Sequence, residues 1–473
     1  MKTSTIELRP GQDIRRSLYD AEIEDSAATL IQLFSGSTSE AGLKALLRVL
    51  HTVLPQSQIV GCTASAVISN GGIHEDLVLL NIWQFESSSV SLSWASFASE
   101  SNPDSLSLGH TLARQVAEDD TQLLLCYSAG DCLNAEDLAR GLIAFVPNTP
   151  LGGCIASARQ SGQQGLVCIG QRVEAAAAVV VAIAGNELSV NLHHSKDWMM
   201  LGTPMEVTSS EGNILREIND TPAQSVYTRY LGEESCYDLE AACLRFPLLL
   251  ERNGRVLARL GNHVDRRDGS IRFWGNLAPG EKVRFGLLNP VSAIDDFRKV
   301  IESLENHRCE VLLVFPSEAR KLMMQSLTED ELGRLQEIAG TQGIFTPGQY
   351  FYGPDQPDFL HYSHVVISIA EGNPSEPLTL TQTGLDAFSP DTLEMRAISH
   401  LVNTTARELE EANQSLEKQA NTDQLTGIYN RHKAGVVLDQ EYRRAQRYGR
   451  PLSLIMIDID DFKQINDHFG HQV

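Results

Sequence analysis

The sequence predicts a multidomain chain of α/β and α+β class, and three observations lead there. From Ala28 onward, short apolar runs of strand length alternate with longer stretches of helical spacing. From Ser389 to Asn421 glycine disappears and apolar or small residues return every three or four positions. Near the C-terminus the apolar run Leu454, Ile455, Met456 and Ile457 turns abruptly into Asp458, Asp460 and Asp461. At 473 residues the chain has room for roughly two to four domains.

Bulk properties narrow the function classes. A composition 42% apolar and 21% charged is ordinary for a soluble globular protein. Lys plus Arg is 38 and Asp plus Glu is 61, a formal charge of −23, so no nucleic-acid partner is expected: duplex binders need a basic face. The eight cysteines form no C-x-x-C pair, which points away from a zinc or thioredoxin-type site and toward free buried thiols in a reducing compartment. The N-terminus lacks the apolar core of a signal peptide. The longest apolar run, Ala175 to Gly185, is short of the roughly 20 residues that span a bilayer and reads as a core strand. A cytoplasmic location, no membrane partner and a signal found in the cytoplasm are therefore expected.

Residues 1–27 read as a polar, loose tail. Ala28 to Phe34 reads as a strand, and Ser39 to Leu54 as a helix with Leu43, Leu46, Leu47, Leu50 and Leu54 on one face. Ser37 or Ser39 is the expected cap and Pro55 the stop. A strand at Gln58 to Val60 then enters the small-residue loop Gly61 to Ser65, completing a β-α-β unit. Leu77 to Trp83 and Val90 to Ala95 read as a strand pair, Asp104 to Ala117 as a helix and Gln122 to Ser128 as a buried strand. A helix from Asn134, its cap, to Phe145 and a proline turn lead to Gly152-Gly153-Cys154. Further strands are expected at Leu166 to Ile169, Ala178 to Ala184 and Leu188 to His193. His193 and His194 adjoin on a strand and face opposite ways, which suits a solvated pair better than one metal. His361 and His364 read as ordinary packing, and Asp265 to Asp268 before Gly269 as a solvated hairpin tip.

The seam Met395, Ile398, Val402, Thr405, Leu409, Ala412 and Leu416 in 389–421 predicts a parallel coiled coil, hence a homodimer. A lone helix packed on its own domain is the plainer alternative, but it would expose that stripe. Thr405 and Ala412 weaken the seam, which suits a helix pair that shifts register. Arg431 to Tyr448 reads as a helix closed by Gly449-Arg450-Pro451, and Leu454 to Ile457 as a buried strand. Carboxylates such as Asp458 at such a strand's end, on the turn into a helix, can hold a divalent cation for a nucleotide, because hard cations prefer oxygen ligands. Lys463 can offset phosphate charge. Solvated acids at a strand end are the bland reading.

Together with Thr422 to His432 (TDQLTGIYNRH), the stretch Leu454 to Val473 (LIMIDIDDFKQINDHFGHQV) resembles the N-terminal part of a GGDEF domain, the catalytic domain of diguanylate cyclases. The resemblance covers Asn421 to Val473 and implies joining of two GTP into cyclic di-GMP plus two diphosphates, with Mg²⁺ (or Mn²⁺) as cofactor. It implies Asp458 as a metal carboxylate, with the Ile459 carbonyl on the same ion. Backbone N–H groups of Asp461 and Phe462 would meet phosphates, and Lys463 would be the catalytic lysine that stabilises transition-state charge. Asn466 would read the guanine edge and His471 would touch substrate. Asp461 stands where relatives usually carry an aromatic or other residue. In members of the family the Gly-Gly-Asp/Glu-Glu-Phe hairpin and a second metal carboxylate lie further downstream than Val473. The expectation is a truncated α/β nucleotidyl-cyclase-like GGDEF domain, inactive as it stands and poorly packed beyond Tyr448.

A second resemblance spans about 28–385. Gly61-Cys62-Thr63, Gly152-Gly153, Trp198, Gly202 to Met205, Val207-Thr208 and Ile218 to Leu231 resemble the N-terminal half of a FIST sensory domain. Phe246-Pro247-Leu248, Val311 to Arg320, Gly343 to Tyr352 and Leu360-His361 resemble its C-terminal half. The resemblance implies an input module for an unknown small ligand. Ala66 and Val67 stand where the family tends to have Gly-Glu, and Pro316-Ser317 where it tends to have Cys, so no ligand contacts are assigned. The organisation expected is a tail at 1–27, a FIST N-terminal domain at 28–235, a FIST C-terminal domain at 236–386, a coiled-coil signalling helix at 389–421 and the GGDEF part at 422–473. The function expected is a cytoplasmic ligand-sensing diguanylate cyclase. The alternative is a non-catalytic dimeric ligand-binding protein with a degenerate output domain. An unrelated magnesium-nucleotide enzyme is disfavoured, since no G-x-x-x-x-G-K-[ST] pattern occurs.

Overall fold

In a computed structural model of the chain, all residues are described except 10–11, 37–38, 100–101, 159–162, 196–197, 306–308, 354–355, 362, 373–389, 424, 450, 459 and 470–473. The side chains of 288, 290–291, 325, 356–358, 390–396, 398–399, 403, 447–448, 465–466 and 468–469 are not described either. The chain divides into two units, Met1–Asn403 and Thr404–Val473.

The expected polar tail is a folded element. β1 (Lys2–Leu8) forms a sheet edge and α1 (Ile14–Asp20) follows, with Asp13 accepting the Arg15 N–H at its start. The reason lies in period-two alternation: Ile6 and Leu8 turn inward between polar neighbours, and Ile14 and Leu18 are buried from the helix. β2 (Thr29–Ser35), α2 (Glu40–Val53) and β3 (Gln58–Thr63) are the expected β-α-β unit, with β2 and β3 parallel. The Ser39 hydroxyl caps α2 by accepting the Gly42 N–H at 3.2 Å, while Ser37 lies outside the described residues. Gly61 to Thr63, expected as a loop, belong to β3 itself.

A hairpin, β4 (Val67–Ser69) and β5 (Gly72–His74), precedes β6 (Val78–Gln84) and β7 (Ser89–Ser96). The expected pairing of these last two is not formed: β6 lies between β1 and β2, and β7 edges another sheet. α3 (Ser105–Val116), β8 (Thr121–Ala129), α4 (Ala135–Phe145) and β9 (Leu151–Ile155) come next, with Asp104 and Asn134 capping the helices. A second hairpin, β10 (Val167–Ile169) and β11 (Arg172–Glu174), leads to β12 (Ala177–Ala184), which is the long apolar run, and to β13 (Leu188–Ser195). His193 and His194 lie within β13 and are half-buried rather than solvated, the His194 ring standing edge-on to Phe351 at 4.6 Å.

An antiparallel sheet of eight strands follows: β14 (Trp198–Glu211), β15 (Ile214–Ile218), β16 (Thr221–Pro222), β17 (Leu248–Arg252), β18 (Arg255–Arg259), β19 (Gly261–Asp265), β20 (Ser270–Phe273) and β21 (Lys282–Leu288). α5 (Ala223–Leu231) and α6 (Leu239–Arg245) pack on it around Tyr227, Cys243, Phe273 and Phe285. The charged tip between β19 and β20 is exposed as expected, and Asp268 pairs with Arg216 at 3.0 Å. Then come α7 (Pro290–Glu305), β22 (Val311–Pro316), α8 (Glu318–Met323), α9 (Gln325–Ile338) and β23 (Gly340–Ile344). A third hairpin, β24 (Gln349–Gly353) and β25 (Gln356–Leu360), and β26 (His364–Glu371) complete the first body.

The three six-stranded sheets share one order, β1-β6-β2-β3-β10-β11, β7-β12-β8-β9-β24-β25 and β13-β26-β22-β23-β4-β5. Each has one parallel pair, β2–β3, β8–β9 or β22–β23, and its other pairings are antiparallel. The hairpins are exchanged in a cycle: the one after β3 joins the sheet of β23, the one after β23 joins that of β9, and the one after β9 joins that of β3. A glycine holds the same place in each pair. Gly61 faces Leu33, Gly153 faces Cys126 and Gly343 faces Val314, where an added Cβ would lie 1.8, 2.0 and 1.8 Å from the facing carbonyl oxygen. The body is thus a threefold internal repeat, with the antiparallel sheet inserted in the third copy between β13 and α7. Strands from either side of the expected 235/236 boundary complete each other's sheets, so the two halves share one body.

The inner faces of all three sheets meet in one core, with Phe34 and Trp83 from the first, Tyr127 and Val181 from the second, and Phe315 and Ile367 from the third. Helices cover the outer faces: α2 the first sheet, α3 and α4 the second, α7 and α9 the third. His361 and His364 share no site. His361 stacks on Trp274 at 5.9 Å, and burial holds it down to about 3, while His364 stacks on Phe297 at 5.8 Å. None of the eight cysteines forms a disulfide.

From Pro390 onward the described elements are helices: α10 (Pro390–Asn421), which crosses the division at 403/404, α11 (Arg431–Tyr448) and α12 (Phe462–Phe469), the first two matching the sequence boundaries. Of the expected seam, Leu409 and Leu416 are 57% and 62% exposed, and the side chains of Met395 and Ile398 lie outside the described residues.

Candidate functional site

The loop between α10 and α11 is built from its own polar side chains. One Asp423 carboxylate oxygen accepts the Thr426 hydroxyl at 2.8 Å, the Thr426 N–H at 2.9 Å and the Leu425 N–H at 3.2 Å. These bonds, the Thr426 hydroxyl foremost, hold its carboxyl below the usual range. The chain then turns through Gly427 at φ 70°, a left-handed conformation that glycine adopts without a Cβ clash, and the Gly427 N–H returns to the Asp423 carbonyl at 2.9 Å. Asn430 works at both ends. Its amide donates to the Ala420 carbonyl at 2.7 Å, and its side-chain oxygen accepts the Lys433 N–H at 3.0 Å as the cap of α11. The polar residues of TDQLTGIYNRH therefore lock the end of one helix to the start of the next. Sequence reasoning assigned these residues no such role, although an Asp three residues before a Thr and an Asn just before a helix are turn and cap signals.

α11 ends as expected, with Gly449 left-handed at φ 62° and its N–H on the Ala445 carbonyl. The strand expected at Leu454 to Ile457 is not formed. Leu454, Ile455, Met456 and Ile457 are 67%, 83%, 89% and 84% exposed and pair with no described strand. A strand's backbone groups need a ladder from a neighbour, and among the described residues of Thr404–Val473 there is none. The expected poor packing past Tyr448 matches this exposure.

Asp458, Asp460, Asp461, Phe462 and Lys463 are all exposed. Asp461 sits at φ 56°, left-handed for a residue with a Cβ, and accepts Gln464 Nε2 at 3.2 Å. It leads directly into α12, so Phe462 and Lys463 occupy the first turn of that helix. Asn466 lies in α12, but its side chain is outside the described residues, as are Ile459 and His471 entirely. Among the described residues no group of three or more His, Cys, Asp or Glu side chains is close enough to share a metal ion. Asp458 offers the hard carboxylate oxygen that Mg²⁺ or Mn²⁺ prefers, as one part of a coordination shell.

Three families match the chain in succession: the FIST N domain over residues 29–221, the FIST C domain over 223–352, and the diguanylate cyclase GGDEF domain over 420–473. A diguanylate cyclase of Vibrio cholerae serotype O1 is 46% identical over 70 residues, 15% of this chain and 22% of the relative. The probable diguanylate cyclase DgcC of Escherichia coli is 41% identical over 69 residues, 15% of this chain and 19% of the relative. The response regulator PleD of Caulobacter vibrioides is 52% identical over 52 residues, 11% of this chain and 12% of the relative. The chain thus spans about a fifth or less of the length of these curated relatives.

Proposed function

From a chain that carries FIST N, FIST C and GGDEF regions in that order, we propose a ligand-sensing diguanylate cyclase-type signalling protein. The observation that carries the reading is the match over 420–473, which contains both the Asp423–Asn430 lock and the acidic turn before α12. In this reading an input body binds a small ligand in the cytoplasm, α10 pairs with its copy in a homodimer, and the lock passes the helix geometry to the GTP site. The exposure of Leu409 and Leu416 supports the pairing, because a second copy would bury that stripe. No described helix is long and apolar enough to cross a membrane.

Each GTP 3′-hydroxyl attacks the α-phosphate of the other GTP, breaking its α–β phosphoanhydride bond and releasing diphosphate, so two catalytic domains must face each other. Catalysis of this kind rests on positioning and charge stabilisation. Asp458 and the Ile459 carbonyl would hold a Mg²⁺ or Mn²⁺ ion, which neutralises phosphate charge when bound. Lys463, on the first turn of α12, brings an ammonium to the charge that develops on the phosphate oxygens. The N–H groups of Asp461 and Phe462 open the same helix and point their partial positive charge at phosphate. Asn466 orients the guanine and His471 closes on the substrate.

The 473-residue polypeptide is expected to make no cyclic di-GMP alone. Fused to the downstream half of a relative's GGDEF domain, it should convert GTP to cyclic di-GMP, and Asp458→Ala should lower that output by about 100-fold or more. Equal output from the variant would overturn the assignment. The exposed Leu454 to Ile457 favour a second reading, a dimeric ligand-binding protein without catalysis. A fused chain that dimerises but never forms product supports it.

A further inference from the structure

A cavity of about 440 Å³ opens in the Met1–Asn403 unit where the inserted sheet meets the third repeat. Its walls are mostly apolar, with Leu244 and Phe246 at the end of α6, Leu260 after β18, and Leu322 and Met323 of α8, and the exposed Arg245 at the last turn of α6 also lines it. Glu318, the first residue of α8, is also on its lining. The cavity lies at the C-terminal end of the parallel pair β22–β23, the side of a parallel sheet where strand ends leave a crevice for ligands.

All three repeats converge there. Thr63 and Ser157 bond to each other at 3.0 Å from the Ser157 N–H and at 2.6 Å from the Thr63 hydroxyl. The Thr346 hydroxyl donates to the Ile155 carbonyl at 2.7 Å, and the Glu318 N–H to the Thr346 carbonyl at 3.1 Å. The same backbone bond marks the same place in each copy: Ala64 N–H to Ser35, Ala156 N–H to Ser128, and Thr346 N–H to Pro316. Counting two residues on from Ser35, Ser128 and Pro316 gives Ser37, Gly130 and Glu318. In the sequence only the third copy carries a charged residue at that place.

The carboxylate accepts the Ser157 hydroxyl at 2.5 Å. Burial pushes its carboxyl above the usual range, while the Ser157 and Ser65 hydroxyls and, less, the Lys321 ammonium pull it back. Lys321 itself pairs with Glu75. At the mouth, Leu322 and Met323 are 74% and 41% exposed, an apolar rim beside a carboxylate held by hydroxyls.

We propose that this cavity is the sensory site and takes a small organic cation with an apolar body, its ammonium on the Glu318 carboxylate and its body against Leu244, Phe246, Leu322 and Met323. The proposal rests on the reading of this region as a ligand-binding module and gives the ligand its chemical class. The Ser157 and Ser65 hydroxyls that bond to this carboxylate are neutral, and a charge-assisted bond from a ligand ammonium is worth more than a neutral one. The volume falls in the range of small-molecule sites.

Calorimetric titration of the full 473-residue chain with tryptamine, tryptophol and indole-3-acetate tests it, since the three share one apolar body and differ in charge. Tryptamine should bind one per chain, about tenfold or more tighter than the other two, and Glu318→Gln should remove that advantage. If the variant does not fold, the wild type still decides. Its affinity for tryptamine should fall as pH is lowered through the carboxyl's titration, while tryptophol binding stays level. Equal affinity for tryptamine and tryptophol, unchanged affinity in a folded Glu318→Gln chain, or no binding of either tryptamine or the slimmer n-hexylamine overturns the proposal. None of these results alters cyclic di-GMP formation by the fused chain, so the two readings fail separately.

Discussion

In the unit Met1–Asn403, Trp83, Tyr127, Phe315 and Ile367 are 0% exposed, whereas in Thr404–Val473 Leu425, Ile455 and Met456 are 91%, 83% and 89% exposed. Both regions contain apolar runs that read as strands. In the first, three sheets face one another and each covers the others' apolar faces. In the second, the run at Leu454 to Ile457 has no described neighbour to pair with. An apolar run thus becomes a strand only when another backbone offers a ladder and another surface offers a face to bury.

The most severe way to break this comparison is to cut the first unit between its two families. Residues 1–222 keep the first sheet but lose β24 and β25 from the second and β22, β23 and β26, the middle of the third sheet that closes the core. That fragment should fail to fold, as circular dichroism and soluble expression would show. A fragment that unfolds cooperatively would mean the exchange of hairpins is dispensable. Side-chain truncation sharpens the contrast on a finer scale. Ile367→Ala should cost about 2–5 kcal/mol in denaturant titration, and Ile455→Ala should stay within about 0.5 kcal/mol. Similar costs at the two sites would show that the second unit buries its apolar run after all.

Glycines extend the comparison within the first unit. Gly343→Ala should cost about 2–3 kcal/mol or more, because the new Cβ would lie 1.8 Å from the Val314 carbonyl oxygen and backbone must move. Gly333→Ala in α9, where a Cβ meets nothing within 4 Å, should be neutral or stabilise by up to about 1 kcal/mol. Thermal unfolding of the two variants separates these outcomes. The smallest effect is on pH. At the end of β26, Glu371 accepts the N–H groups of Glu86 at 2.8 Å, Ser87 at 3.0 Å and Ser88 at 2.8 Å. These bonds outweigh burial and hold its carboxyl down to about 2. Its folded value is below the unfolded 4.5, so its contribution is present above about 4.5 and is lost as pH falls through about 2. Glu371→Gln should flatten the stability profile of the whole chain between those values, and an unchanged acid limb would refute the link.

Helices α2, α3, α4, α10 and α11 were legible in the sequence to within a residue or so, while α1 and α6 to α9 were not read. Ser39, Asp104 and Asn134 cap α2, α3 and α4, and the ends of α11 follow Asn430 and Gly449. Strands β2, β8 and β12 were legible as runs, but their neighbours were not. The pair expected of β6 and β7 went to different sheets, and β1 was hidden in a polar stretch. The threefold repeat escaped notice because its copies share a glycine register and a pattern of element lengths, with little common sequence. At the C-terminal site, Asp458, Asp461, Phe462 and Lys463 were named from their motif, and the turn into α12 lies where the motif put it. Glu318 gave no such signal, since its meaning depends on Ser157, which lies 161 residues away.

What the sequence determined by itself was local: where helices start and stop, which loop residues bond their own backbone, and where one kind of chain gives way to another. Those features are set by bonds between residues a few positions apart. The tertiary structure alone decided which strands meet, that the two FIST regions share their sheets, and that one repeat places a carboxylate beside an apolar cavity. The physical reason is that strand pairing and burial join groups far apart in the chain, so neither a ladder nor a pocket is written in any single segment.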